Sequence, residues 1–158
     1  MVERAARVFL EAGCRPVVLV FSDDRVALAL ARLPIIPVRN REVERGVGRS
    51  IALGVEALAD DVSAAVIGVA DQPRLTAEAL SSLLRAFSPG SIVAPRYGEV
   101  LGNPRVFDRR YFGELAALEG DQGGRSVSDR HAKAVIEVPL DASMGLDVDR
   151  PEDWPGGS

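Results

Sequence analysis

The stretch that most constrains this chain is residues 64–70, AAVIGVA, which runs directly into Asp71-Gln72-Pro73. A continuous apolar run rich in β-branched residues reads as a strand buried on both faces, as in parallel sheets covered by helices. Pro73 cannot extend such a strand. Similar short runs recur at residues 16–21, 35–38, 91–95, 103–107 and 134–138. Between them lie segments with helical spacing. Val2, Ala5, Ala6, Phe9 and Leu10 share one face of a helix over 2–12, and Gly13 is placed to stop it. Ser22-Asp23-Asp24 offers a cap for a helix at 24–32. Ile51, Leu53, Val55 and Leu58 mark a helix after the glycine-bearing loop 46–50. Thr76 caps a helix with Ala77, Leu80, Leu83 and Leu84 inward, and further helices are expected at 109–118 and about 122–131. Strands alternating with helices predict an α/β fold with a mostly parallel sheet covered on both faces.

Composition narrows what such a fold can do. The chain has 158 residues, which fits one domain, here expected over 1–154 with a flexible tail at 155–158. Nineteen basic residues stand against 23 acidic ones, for a formal charge of −4, and no basic run is present. That is not the electrostatic footprint of a nucleic-acid-binding protein. Aromatic residues, at 5%, are too scarce for a base-stacking platform. Cys14 is the only cysteine and His131 the only histidine, so an intrachain disulfide is impossible and a structural zinc site implausible. No run approaches the roughly 20 apolar residues of a membrane span. The N-terminus lacks the pattern of a signal peptide. A cytoplasmic location is the expectation.

Ligands of open α/β sheets bind beyond the carboxyl ends of the strands. Asp71 occupies such a position and suits Mg²⁺, a hard cation that takes oxygen ligands and is commonly shared with phosphates. The competing role is a cap for the next helix, for which Thr76 is better placed. Asp147 and Asp149 flank Val148, so an extended segment points both carboxylates the same way. Either they serve a ligand, or they complement a helix start at Pro151. Gly46, Gly48 and Ser50 form a turn ahead of a helix, either an ordinary connection or a ligand cradle. Arg49 is then an exposed loop arginine or a phosphate or base contact. Gly102-Asn103-Pro104 and the loop 120–125, GDQGGR, permit close backbone approach but also simply make turns.

Taken in order, these loops resemble the molybdenum-cofactor cytidylyltransferase branch of the MobA-like nucleotidyltransferases. The resemblance lies in Asn40 with the loop 46–51 (GVGRSI), in ADQP at 70–73, IVAPRY at 92–97, GNP at 102–104, GDQGGR at 120–125 and DVDRPED at 147–153. Ala70 and Asn103 stand where that branch usually has glycine and histidine. The resemblance implies a Rossmann-like three-layer α/β sandwich. It implies transfer of CMP from CTP to a molybdopterin-type phosphate, with release of pyrophosphate. Asp71 and Asp149 would hold Mg²⁺ and act as the catalytic carboxylates. Gly48, Arg49 and Ser50 would meet the nucleotide, and Gly102, Asn103 and Arg125 would line the acceptor side. A molybdoenzyme or chaperone would be a partner.

The family's opening strand and phosphate loop, which supplies an arginine and a lysine, has no counterpart here, since Met1 falls where the first helix begins. Lys133 is the only lysine and lies far along the chain. The expectation is therefore a chain without the family's first strand, and inactive in this form. Two other readings stay open: a non-catalytic pterin- or nucleotide-binding relative, and a family enzyme using GTP or another phosphate acceptor.

Overall fold

A computed structural model describes residues 1–147. Its elements follow in the order α1 (Val2–Glu11), β1 (Val17–Phe21), α2 (Asp24–Leu30), β2 (Ile35–Arg39), α3 (Val47–Glu56), β3 (Ala64–Ile67), α4 (Ala77–Ala86), β4 (Ile92–Tyr97), β5 (Val100–Leu101), β6 (Arg105–Asp108), α5 (Phe112–Ala116), α6 (Gly124–Arg130) and β7 (Val135–Leu140). Local chemistry explains the ends. Gly13, at φ +87°, closes α1 in a Schellman arrangement, its N–H bonding Leu10 O while that of Cys14 bonds Phe9 O. Asp23 caps α2 through the Arg25 N–H, and Thr76 caps α4 through that of Ala79.

The strands form two sheets. β1 and β2 pair in parallel. The other sheet runs β3-β6-β4-β7, with β5 a short hairpin partner of β4. β6 is antiparallel to both of its neighbours, and only β4–β7 is parallel. The sheet is therefore mixed, not mostly parallel as expected. The connection 98–104 is the reason: it is too short for the crossover that a parallel neighbour requires. β3 is also shorter than residues 64–70. Its pairing ends at Ile67 opposite Arg105, because the next partner, Pro104, has no N–H to donate. In place of one helix over 109–118 there is a 3₁₀ turn at Arg109–Tyr111, followed by α5. Residues 155–158, expected to be a tail, lie outside the described residues.

Register assigns the core to two faces. Val93 pairs with Val106 and Ile92 with Phe107, so each pair points one way and adjacent pairs point oppositely. Val93 and Val106 pack with Val8 of α1 and Leu80 and Leu83 of α4. Ile92 and Phe107 pack with Val55 of α3, Leu115 of α5 and Val127 of α6. Helices thus cover both sides, giving three layers. Phe107, Leu80 and Leu83 are wholly buried, and each such side chain stabilises the fold by about 1.5–3 kcal/mol.

Asp108 ends β6 and ties it to its surroundings. Its carboxylate accepts from the Arg110 N–H at 2.8 Å and from the Gly90 N–H at 2.7 Å. These backbone donors, first Arg110 and then Gly90, hold its pKa below the ordinary 3.8. A carboxyl depressed on folding contributes stability that is complete above its unfolded pKa and is lost as pH falls through the folded value. Asp108→Asn is expected to be less stable than wild type at neutral pH. The gap should close as pH drops below about 4, and urea unfolding at a series of pH values reads it.

Candidate functional site

β3 and β4 both run antiparallel to β6, and β7 runs parallel to β4. The carboxyl ends of β3, β4 and β7 and the amino end of β6 therefore share one edge of the sheet. The loops leaving that edge carry Asp71, Gly102-Asn103-Pro104 and Asp147.

Asp71 follows β3 and is half-buried. One of its oxygens, Oδ1, is occluded from solvent and has no hydrogen-bond partner among the described residues. Beside it, Gln72 is 6% exposed and its Oε1 is likewise occluded and without a partner among the described residues. The helix that follows is capped by Thr76, so the capping role considered for Asp71 is filled by another residue. A buried carboxylate oxygen without a donor is costly in an isolated protein and suits a hard cation. Asp149 lies outside the described residues. Among the described residues no three potential ligands cluster, so a cation at Asp71 would depend on Asp149, water or substrate oxygens.

The 40–50 loop is tightly built. Asn40, 3% exposed, donates from Nδ2 to Ser50 Oγ at 3.0 Å and accepts the Glu42 N–H at Oδ1 at 2.8 Å. This links the end of β2 to the start of α3. Arg49 donates to Glu42 at 2.7 Å, so its charge is engaged within the loop. The Arg45 and then the Arg49 guanidinium hold the Glu42 carboxyl below its usual range. Gly48 donates its N–H to Gly120 O at 3.0 Å. A Cβ on Gly48 would lie 2.8 Å from Glu119 N and 2.9 Å from Leu118 C, so the missing side chain is what lets α3 start against the 118–120 backbone. The loops at 46–50 and 120, both singled out in the sequence, are thereby brought together.

Tyr97 organises the other end. Its hydroxyl donates to Asn103 O at 2.7 Å. Its ring fills the space that side chains on Gly102 and Gly145 would need. Burial, reinforced by the nearby Asp147 carboxylate, pushes its pKa up to about 12, so the phenol remains a hydrogen-bond donor at all ordinary pH. Arg125 is exposed on α6 and pairs with Asp129 at 3.7 Å.

The sequence reading passed over Tyr97, Gln72 and Arg105 as individual residues. For the first two a signal existed, since both fall inside motifs already singled out. A cavity of about 230 Å³ lies between α2 and the β1–β2 pair, lined by apolar residues including Leu19, Phe21, Leu30 and Pro37. It holds none of the polar groups described here.

Known proteins share this architecture. A curated relative, nicotine blue oxidoreductase of Paenarthrobacter nicotinovorans, is 29% identical over 164 residues, spanning 96% of this chain and 79% of its own. The Rv0371c protein of Mycobacterium tuberculosis, solved in complex with manganese, superposes with a TM-score of 0.81 at 24% identity, over 96% of this chain and 82% of that one. A nucleotidyl transferase from a Methanothermobacter species reaches 0.83 at 17% identity, over 96% and 76%. These likenesses establish the fold. A model of the MobA-like NTP transferase domain matches residues 1–135, a span that takes in the Asp71 loop and every helix described above, and the chain belongs to that family of nucleotidyltransferases.

Proposed function

We propose that the protein transfers CMP from CTP to a molybdopterin-type phosphate. An oxygen of the acceptor phosphate attacks the α-phosphorus of CTP. The bond from that phosphorus to the bridging oxygen breaks, and pyrophosphate leaves with the electron pair. Such a reaction asks for positioning and charge stabilisation more than for an acid or base. The observation that carries the reading is the occluded, unpartnered Asp71 Oδ1 at the carboxyl end of β3. Asp71 and Asp149 would hold Mg²⁺, which when bound supplies positive charge to the phosphates. Support for a divalent cation comes from the manganese complex of the structural neighbour.

Gly48, Arg49 and Ser50 would form the nucleotide side. There Asn40 fixes the Ser50 hydroxyl and Glu42 fixes the Arg49 guanidinium. Gly102, Asn103 and Arg125 would form the acceptor side, held by Tyr97. A phosphate-binding strand and loop belonging between β1 and β3 fits the division into two sheets. Among the described residues β1 pairs only with β2, and β3 only with β6, so each leaves an edge unpaired.

A second reading is a non-transferring pterin- or nucleotide-binding relative. It draws support from the curated relative, which is named for an oxidoreduction. Pyrophosphate release separates the two. The assay uses a form extended at its N-terminus by the proposed strand and phosphate loop, with Mg²⁺, molybdopterin and each nucleoside triphosphate in turn. CTP is expected to give the fastest release. Preference for GTP would change the donor, and no release from any triphosphate would overturn the transferase reading.

A further inference from the structure

Arg105 is the buried charge that the site described so far leaves unused. It opens β6 and is 3% exposed. Its Nε donates to Gly102 O at 2.9 Å and its Nη2 to Leu101 O at 3.3 Å. Both acceptors are neutral carbonyls. Nη1 has no hydrogen-bond partner among the described residues, yet it is not among the fully occluded atoms. No carboxylate among the described residues lies within ion-pair distance of it. Asp129 acts on Arg105 favourably at longer range, but that carboxylate already pairs with Arg125, whose own charge opposes Arg105. Among the described residues, two guanidinium groups and one carboxylate leave one positive charge over.

Holding a guanidinium out of water without a counter-charge is unfavourable, and two carbonyls recover only part of the loss. Arginine also does not escape by losing its proton. The arrangement makes sense if the counter-charge arrives with a ligand. A guanidinium fork matches the paired oxygens of a phosphate or carboxylate. Register places Arg105 opposite Ile67, at the end of the strand that leads to Asp71. The carbonyl that fixes Nε belongs to Gly102, in the loop whose next residue, Asn103, is held by the Tyr97 hydroxyl.

We infer that Arg105 anchors an oxyanion, phosphate or carboxylate, of the acceptor substrate, beside the Asp71 loop. Naming the anion as part of the acceptor rests on the transferase reading above, whereas anion binding itself does not. The test therefore omits nucleotide and metal. Thermal unfolding of wild type and Arg105→Met is followed in chloride, inorganic phosphate or acetate at matched ionic strength. The wild-type midpoint is expected to rise in phosphate or acetate over chloride, by roughly 5–10 °C at a hundred times Kd. The anion that protects identifies the ligand class. Arg105→Met should lose that rise. If this variant does not fold, Arg105→Lys keeps the charge without the fork and should show a reduced rise. A wild type that responds to neither anion overturns the assignment. So does a variant whose response equals that of wild type, which would make Arg105 a staple for the 101–102 loop only.

Discussion

Gly46→Ala is expected to destabilise the protein by about 2–6 kcal/mol. Gly46 sits at φ +80° and ψ −176°, a conformation essentially reserved for glycine and costing other residues about 1–3 kcal/mol. A Cβ there would lie 2.3 Å from Gly120 O and 2.5 Å from Gly120 C. Both are backbone atoms and cannot swing aside as a side chain would. Overpacking of this kind adds about 1–3 kcal/mol. The loop carrying Gly48, Arg49 and Ser50 would have to move away from Gly120. The substitution should therefore weaken nucleotide binding along with stability. Gly113→Ala is the matched control. Gly113 lies within α5, and a Cβ added to it meets nothing within 4 Å. Alanine is the better helix former there, so a gain of about 0.4–1 kcal/mol is expected. Urea unfolding of both variants reads the contrast. Equal stability of Gly46→Ala and wild type would mean that the 46–50 and 118–120 loops do not pack as described.

The difference between these two glycines was not visible in the sequence, where both are simply glycines near helix starts. What the sequence carries well is local. The Gly13 stop and the caps within residues 22–24 and at Thr76 depend on neighbours a few residues away, and each appears where the chemistry predicts it, whereas the apolar run 64–70 forms a strand only over Ala64–Ile67. The position of Asp71 at a strand end followed from the same logic. Sheet direction did not. β6 enters between β3 and β4, and only the pairing of residues far apart in the chain shows that it runs antiparallel to both. The state of each arginine was equally hidden. Arg49 is engaged by Glu42 across a loop, not along a helix face. Arg105 follows a proline in a turn-rich stretch, with nothing local to say that its guanidinium would be buried. Asp149 belongs to a segment beyond the described residues, so its pairing with Asp71 stands as a proposal.

In the N-terminally extended form, Asp71→Asn is expected to lower turnover by about 100- to 1,000-fold, the scale lost when a group stabilising transition-state charge is deleted. Fold stability should not fall. The substitution keeps the shape, removes a charge, and breaks no hydrogen bond to an oxygen that has no partner among the described residues. That separation of activity from stability distinguishes a ligand-binding carboxylate from a structural one. Loss of both together would assign Asp71 to the fold.

The most direct measurement is a titration of Mn²⁺ into the N-terminally extended wild type and its Asp71→Asn variant, with and without CTP, followed by the electron paramagnetic resonance signal of free Mn²⁺. Mn²⁺ stands in for Mg²⁺ and binds through the same oxygen ligands. Binding to wild type should tighten when CTP is present. Asp71→Asn should weaken it by about 100-fold, the upper range of what even supporting residues of a metal site contribute. Superimposable curves for the two proteins, with CTP making no difference to either, would contradict a metal-dependent nucleotide site at Asp71.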